Sequence, residues 1–167
     1  MTPNTDRQGC QNEEGFTLLE GMLASAILTV GLLALSGMQG IALVKNVDAN
    51  ELTRITTLAS DMMERIQFNR RNAVAYNGID TQSVTNCSGI SAGVQPMASG
   101  DCLLWDSIVD GTQFEAVPVR GRVTVSAVKA PTSLNQRDVT VTITWVGSSN
   151  SAKRSRTLTL QRVVAPE

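Results

Sequence analysis

The residues of this chain that could do chemistry are its carboxylates and cysteines, because the 167-residue sequence contains no histidine. A Ser-His-Asp triad, a Cys–His pair and a His-ligated catalytic zinc are therefore excluded. No nucleophile–base pair or phosphate-binding loop accompanies the clustered carboxylates, and charged loop residues usually form a solvated surface. We therefore predict that the chain is not an enzyme and has no catalytic residue, metal site or cofactor. The alternative is a membrane-anchored hydrolase that would use the clustered carboxylates Asp101, Asp106, Asp110 and Glu115.

The overall charge is close to neutral. Lys and Arg total 14, Asp and Glu total 15, and the formal net charge is -1. A nucleic-acid-binding protein needs a basic surface to neutralise phosphates. Aromatic residues make up only 4% of the chain, too few for a base-stacking platform. We expect no nucleic-acid partner.

One further carboxylate, Glu20, stands at the start of a long uncharged stretch. Residues 21–44, 24 in all, contain no Asp, Glu, Lys or Arg. About 20 apolar helical residues cross the hydrocarbon core of a bilayer, so this stretch can span a membrane. It is too long to be the buried core helix of one small domain. A cleaved secretory signal fits poorly, because the apolar run is too long and Arg7 is outnumbered by acidic residues in the flank before it.

The residues before this stretch read Gly-Phe-Thr-Leu-Leu-Glu over positions 15–20. The string resembles the processing site of type IV prepilins and the related pseudopilins. The resemblance implies that a prepilin peptidase cuts between Gly15 and Phe16 and methylates the new amine of Phe16. It also implies that Glu20 pairs with the Phe16 amine of a neighbouring subunit during assembly. Such a pair is physically reasonable, because a buried charge is much less costly when it is paired.

The same resemblance divides the chain into three parts. Residues 1–15 would be a leader that is removed, residues 16–44 a transmembrane and filament-core helix, and residues 45–167 a periplasmic or extracellular head domain. The subunit would lie in the inner membrane as a single-pass protein, head in the periplasm, and later join a pilus on the cell surface. The leader departs from the family pattern, because Glu13 and Glu14 stand where Lys or Arg is usual. The expected orientation therefore depends on the motif and not on flanking charge.

Removal of the leader would leave an even number of cysteines. Cys10 would be lost, and Cys87 and Cys102 would remain. Outside the cytoplasm a disulfide between these two residues is the expected state. The alternative is two buried free thiols.

The apolar periodicity predicts an α+β fold. One helix is expected from about Thr17 to Phe68, apolar first and amphipathic afterwards, with Leu52, Ile55, Ala59, Met62 and Ile66 on its apolar stripe. An irregular connection follows over residues 73–115, with a short helix at 102–109. Alternating residues then predict three antiparallel strands, at 119–127, 139–145 and 156–163, with a hairpin loop at 147–151. The amphipathic half of the helix would pack on this sheet, as in the type IV pilin-like architecture.

The later segments carry a second resemblance. Cys-Leu-Leu-Trp at 102–105 and Val-Thr-Ile-Thr-Trp at 141–145 make the chain most similar to the minor pilins called PilV, type IV pilus modification and assembly proteins. This resemblance implies a minor pilin that helps to initiate or prime assembly, at or near the tip. Its partners would be the prepilin peptidase/methyltransferase, other minor pilins, the major pilin, the inner-membrane assembly platform and, before assembly, inner-membrane lipid. The alternatives are a minor pseudopilin of a type II secretion system and a tip adhesin subunit.

Overall fold

The structure, a computed structural model, describes residues 17–83, 86–111, 119–130, 134–147 and 154–165. These residues form two compact units, which divide between Leu43 and Val44. The long helix contributes residues to both units. The remaining helices and all of the strands belong to the second unit.

A single helix, α1, occupies Leu18–Phe68 and is 51 residues long. It confirms the prediction of one continuous helix, apolar first and amphipathic afterwards. The large apolar side chains of its first half are exposed. In its second half, buried residues recur at intervals of three and four, which is the spacing of one helix face. They include Ile55, Ala59, Met62 and Ile66.

The segment after α1 contains more regular structure than the sequence predicted. A 3-10 helix spans Arg70–Tyr76, a short one spans Cys87–Gly89, and helix α2 spans Pro96–Gly111. The predicted irregular connection is therefore wrong over α2, and the predicted short helix at 102–109 is twice as long. Pro96 stands at the first helical position, where proline is favoured, although its presence suggested a turn.

Three antiparallel strands complete the fold, in the spatial order β1-β2-β3. Strand β1 spans Arg120–Val125, β2 spans Arg137–Val146 and β3 spans Ser155–Val164. In the register, Val141 of β2 lies opposite Val123 of β1 and Leu160 of β3. On β2 the residues Val139, Val141, Ile143 and Trp145 are buried, which confirms the predicted alternation. The expected hairpin loop at 147–151 lies outside the described residues after Gly147.

One position of the predicted helix stripe is wrong. Leu52 is 47% exposed, whereas the neighbouring Glu51 is only 4% exposed. Glu51 lies four residues before Ile55 and therefore shares its face of α1. Asp48 lies one turn before Glu51, and β3 supplies a cation there, because Arg156 forms an ion pair with Asp48 at 3.1 Å. The sequence pattern of α1 alone could not reveal a cation that lies more than 100 residues away.

The core joins α1, α2 and the sheet around Trp105 of α2, which is fully buried. The indole Nε1–H of Trp105 donates to the backbone carbonyl of Leu58 in α1 at 3.2 Å. Gly121 of β1 lies against the indole, and a Cβ at this position would stand 2.3 Å from the nearest ring carbon. Glycine is therefore required at position 121 for β1 to approach Trp105.

Candidate functional site

The predicted processing site lies at the edge of the described chain. Gly15 and Phe16 fall outside the described residues, whereas Glu20 lies in the first turn of α1 and is exposed. The backbone N–H of Glu20 donates to the hydroxyl of Thr17 at 3.3 Å. Thr17 therefore caps the helix, and a carboxylate in the first turn also interacts favourably with the helix dipole. The spacing Thr17-x-x-Glu20 is typical of a capping box, so the sequence already carried a signal for the first residue of this helix.

The first half of α1 is long and apolar enough, by length and composition, to cross a membrane. None of its most apolar window is buried against other described residues. Two of its hydroxyl groups are satisfied within the helix: Ser25 donates to the carbonyl of Met22 at 2.9 Å, and Thr29 to that of Ala26 at 2.8 Å. Such bonds hide polar side chains from an apolar surrounding. The segment therefore presents an exposed apolar surface that is suited to contact with lipid or with other apolar helices.

Of the four clustered carboxylates, Asp101 ties three elements together. It accepts a hydrogen bond from Tyr76 at 2.6 Å and another from Arg65 of α1 at 3.1 Å. Arg65 also donates to Asp61 at 2.8 Å, and this bond raises the pKa of Arg65. Burial, with the bond to Asp101, raises the pKa of Tyr76, which keeps its hydroxyl protonated as a donor. Asp101 therefore joins α1, the 3-10 helix Arg70–Tyr76 and α2.

The other members of the cluster do not converge on a site. Asp106 accepts a hydrogen bond from the side chain of Asn86 at 2.7 Å, and Asp110 is exposed at the end of α2. Glu115 lies outside the described residues. No group of three or more potential metal ligands occurs in the part of the chain that the structure describes. Asp101 and Asp106 thus serve as ties, and the described geometry gives no support to a hydrolase.

The two remaining cysteines are joined. The Sγ atoms of Cys87 and Cys102 form a disulfide, and the pair closes a separation of 15 residues. The link fastens the short 3-10 helix to α2, next to the bond between Asn86 and Asp106. Two free thiols, the alternative that the sequence left open, are not what the structure contains.

A second polar tie, which the sequence analysis missed, covers the outer edge of β1. Asp80 accepts hydrogen bonds from Arg120 Nε and from Arg122 Nη2, each at 2.9 Å. These bonds, that from Arg120 foremost, hold the pKa of Asp80 below its usual range, and Asp80 raises the pKa of Arg120. The Arg-Gly-Arg alternation on β1 was the available signal, because residues two apart share a strand face.

The backbone beside Asp80 also pairs with β1. The N–H of Val123 donates to the carbonyl of Ile79 at 2.9 Å, and the N–H of Thr81 donates to that of Gly121 at 3.0 Å. This pairing satisfies the edge of β1 that β2 does not cover. An unpaired edge would be a template for pairing with other chains.

Comparison with known proteins bears on the N-terminal segment alone. Residues 10–36 match the model of the family described as "Prokaryotic N-terminal methylation motif". No curated protein and no solved structure matches this chain. The motif match supports a type IV prepilin-like protein and implies processing by a prepilin peptidase and assembly with pilus components. Together with the apolar half of α1, it fits a membrane-anchored subunit that is later assembled into a surface pilus.

Proposed function

We propose that this prepilin-like chain is a minor pilin of a type IV pilus that helps to initiate or prime assembly, at or near the tip. The observation that carries the proposal is the methylation motif over residues 10–36, which includes the start of α1, together with the most apolar window of that helix, which no other part of the described chain covers. The later Cys-Leu-Leu-Trp and Val-Thr-Ile-Thr-Trp segments, which resemble PilV minor pilins, support the finer assignment.

In this proposal the peptidase removes residues 1–15 and methylates the amine of Phe16. The new amine carries a positive charge at the start of a helix that must pack among other apolar helices. Glu20 of a neighbouring subunit supplies the counter-charge, which makes burial of the amine much less costly. The pairing also fixes the axial position of each subunit relative to its neighbour.

In the proposed domain arrangement, one part of the chain lies in lipid and the other in water. Residues 16–44 hold the subunit in the inner membrane and later contribute to the filament core, while residues 45–167 form the head. The head carries the disulfide. It would determine which partners the subunit contacts among other minor pilins, the major pilin and the assembly platform. A disulfide is the expected state of a cysteine pair in the periplasm or outside the cell.

The proposal is tested by Glu20→Ala in the full chain, with Asp110→Ala as a matched loss of an exposed carboxylate. Leader removal is measured by the mass of the membrane-bound protein, and incorporation by its recovery in sheared fibres. Glu20→Ala should be cleaved like the wild type and recovered at a tenth or less of the wild-type level, because removing one partner of a buried pair costs about 3–5 kcal/mol. Asp110→Ala should behave like the wild type. Equal recovery of both variants would refute the pairing.

A further inference from the structure

An open hollow lies between α1 and α2 in the second unit. Its volume is about 370 Å³, and its lining residues are Asp61, Glu64, Arg65, Phe68, Met97 and Asp101. We call it the α1–α2 hollow. Three carboxylates and one guanidinium give it two net negative charges. The surface therefore attracts cations and repels anions.

The negative charges of the hollow are unequally neutralised. Arg65 is shared between Asp61, at 2.8 Å, and Asp101, at 3.1 Å. Glu64 is exposed and makes no hydrogen bond or ion pair with any residue in the described ranges. It is thus the carboxylate that is available to a partner.

Apolar side chains stand beside these charges. Phe68 is 83% exposed and Met97 is 45% exposed. Leu104 is 44% exposed and lies seven residues after Met97, on the same face of α2. An exposed aromatic and aliphatic patch with a polar rim is typical of a protein–protein contact, and aromatic residues often supply most of its binding energy.

We propose that the α1–α2 hollow binds a different protein, whose contact surface places a Lys or Arg side chain among apolar residues. The cation would lie against Glu64 and the ring face of Phe68, while its apolar neighbours cover Met97 and Leu104. Phosphate-bearing partners are disfavoured by the charge. A two-fold pairing with a second copy would bring two negative hollows together and is disfavoured for the same reason. The inference does not depend on the proposed pilin function.

The test uses the full chain in intact cells, with a photo-crosslinking phenylalanine analogue in place of Phe68. The same analogue in place of Thr159, which is exposed on β3, is the control. After illumination, crosslinked peptides are identified by tandem mass spectrometry. The product from position 68 should exceed the control and join a peptide of another protein that carries Lys or Arg among apolar residues.

A charge reversal then tests the chemistry. Glu64→Lys should lower the crosslink yield at position 68 at least about fivefold, because an exposed attraction becomes a repulsion. Asp110→Lys is the matched control, since Asp110 lies about 20 Å along α2 from Met97, and its yield should stay within about twofold of the parent. Neither acid has a partner in the described ranges, so both variants should fold.

Three results would overturn the inference. The first is a yield at position 68 no higher than at position 159. The second is a linked peptide that lacks a basic residue or belongs to this chain itself. The third is an equal yield from the Glu64→Lys and Asp110→Lys chains.

Discussion

Gly121 is the position at which a single methyl group should disturb the head most. In Gly121→Ala the new Cβ would lie 2.3, 2.7 and 2.9 Å from three carbons of the Trp105 ring. Normal carbon–carbon contacts are about 3.5–4.0 Å, so the ring must withdraw by more than about 1 Å. Trp105 has no free space at the surface, because its exposure is 0%. Its bond to the carbonyl of Leu58 also holds the indole in place.

The expected loss of unfolding free energy is about 2–3 kcal/mol. Overpacking a closely packed core costs about 1–3 kcal/mol, and a displaced indole loses a hydrogen bond worth about 1 kcal/mol. Alanine also lowers the conformational entropy of the unfolded chain, which offsets about 0.4–1 kcal/mol of this loss. Urea unfolding of the full chain in detergent measures the difference. Tryptophan fluorescence reports on the head alone, because the chain's two tryptophans, Trp105 and Trp145, both lie there.

The matched control is Gly100→Ala in α2, where an added Cβ would have no atom within 4 Å. Alanine is favoured over glycine inside a helix by about 1 kcal/mol, so this variant should be as stable as the parent or more stable. If Gly121→Ala unfolds at the same urea concentration as Gly100→Ala, the contact between β1 and Trp105 is not the close packing described.

Two further predictions concern the ties of the head. Because the pKa of Asp80 is lowered in the fold, its contribution to the free energy of unfolding is present above the ordinary aspartate pKa of about 4 and is lost as pH falls through the folded pKa. Asp80→Asn should therefore lower the free energy of unfolding by about 1–2 kcal/mol at pH 7. This value allows for arginine partners that are 42% and 52% exposed. Urea titrations should show the full difference between variant and parent at pH 7 and a smaller, still measurable difference at pH 3, because pH 3 lies below the ordinary aspartate pKa while Asp80 in the fold still holds its charge. A difference that is the same at both pH values would contradict the reasoning. Reduction of the Cys87–Cys102 disulfide, which closes a separation of 15 residues, should cost about 3 kcal/mol, and an unfolding midpoint that reductant does not change would argue against the link.

The regular elements of the fold were largely predictable because their burial repeats along the chain. Ile55, Ala59 and Met62 recur with the helical period, and Val139, Val141 and Ile143 alternate as strand residues with one buried face. The N-terminal motif was readable for a related reason, since it is a contiguous string over residues 15–20. Local patterns carry this information without any knowledge of the tertiary structure.

The ties between elements were not predictable, because they join residues that are far apart in sequence. Asp101 meets Arg65 across 36 positions, and Asp80 meets Arg120 across 40. Neither pairing produces a periodic pattern in the amino-acid sequence. The N-terminal half of α2 was missed for a different reason: Pro96 and Gly100 are typical of turns, and burial on the helix face that includes Cys102 and Trp105 overrides that local preference.

The proposed function requires that the chain is cut between Gly15 and Phe16 and then assembled. It is tested most directly by mass spectrometry of sheared surface fibres and of cell membranes, searched for a peptide that begins at Phe16 with a methylated amine. We expect this peptide in both fractions. Its presence in membranes alone would favour a pseudopilin over a pilus subunit. An intact Met1–Gly15 leader in both fractions would contradict processing and assembly of this chain as a pilin-like subunit.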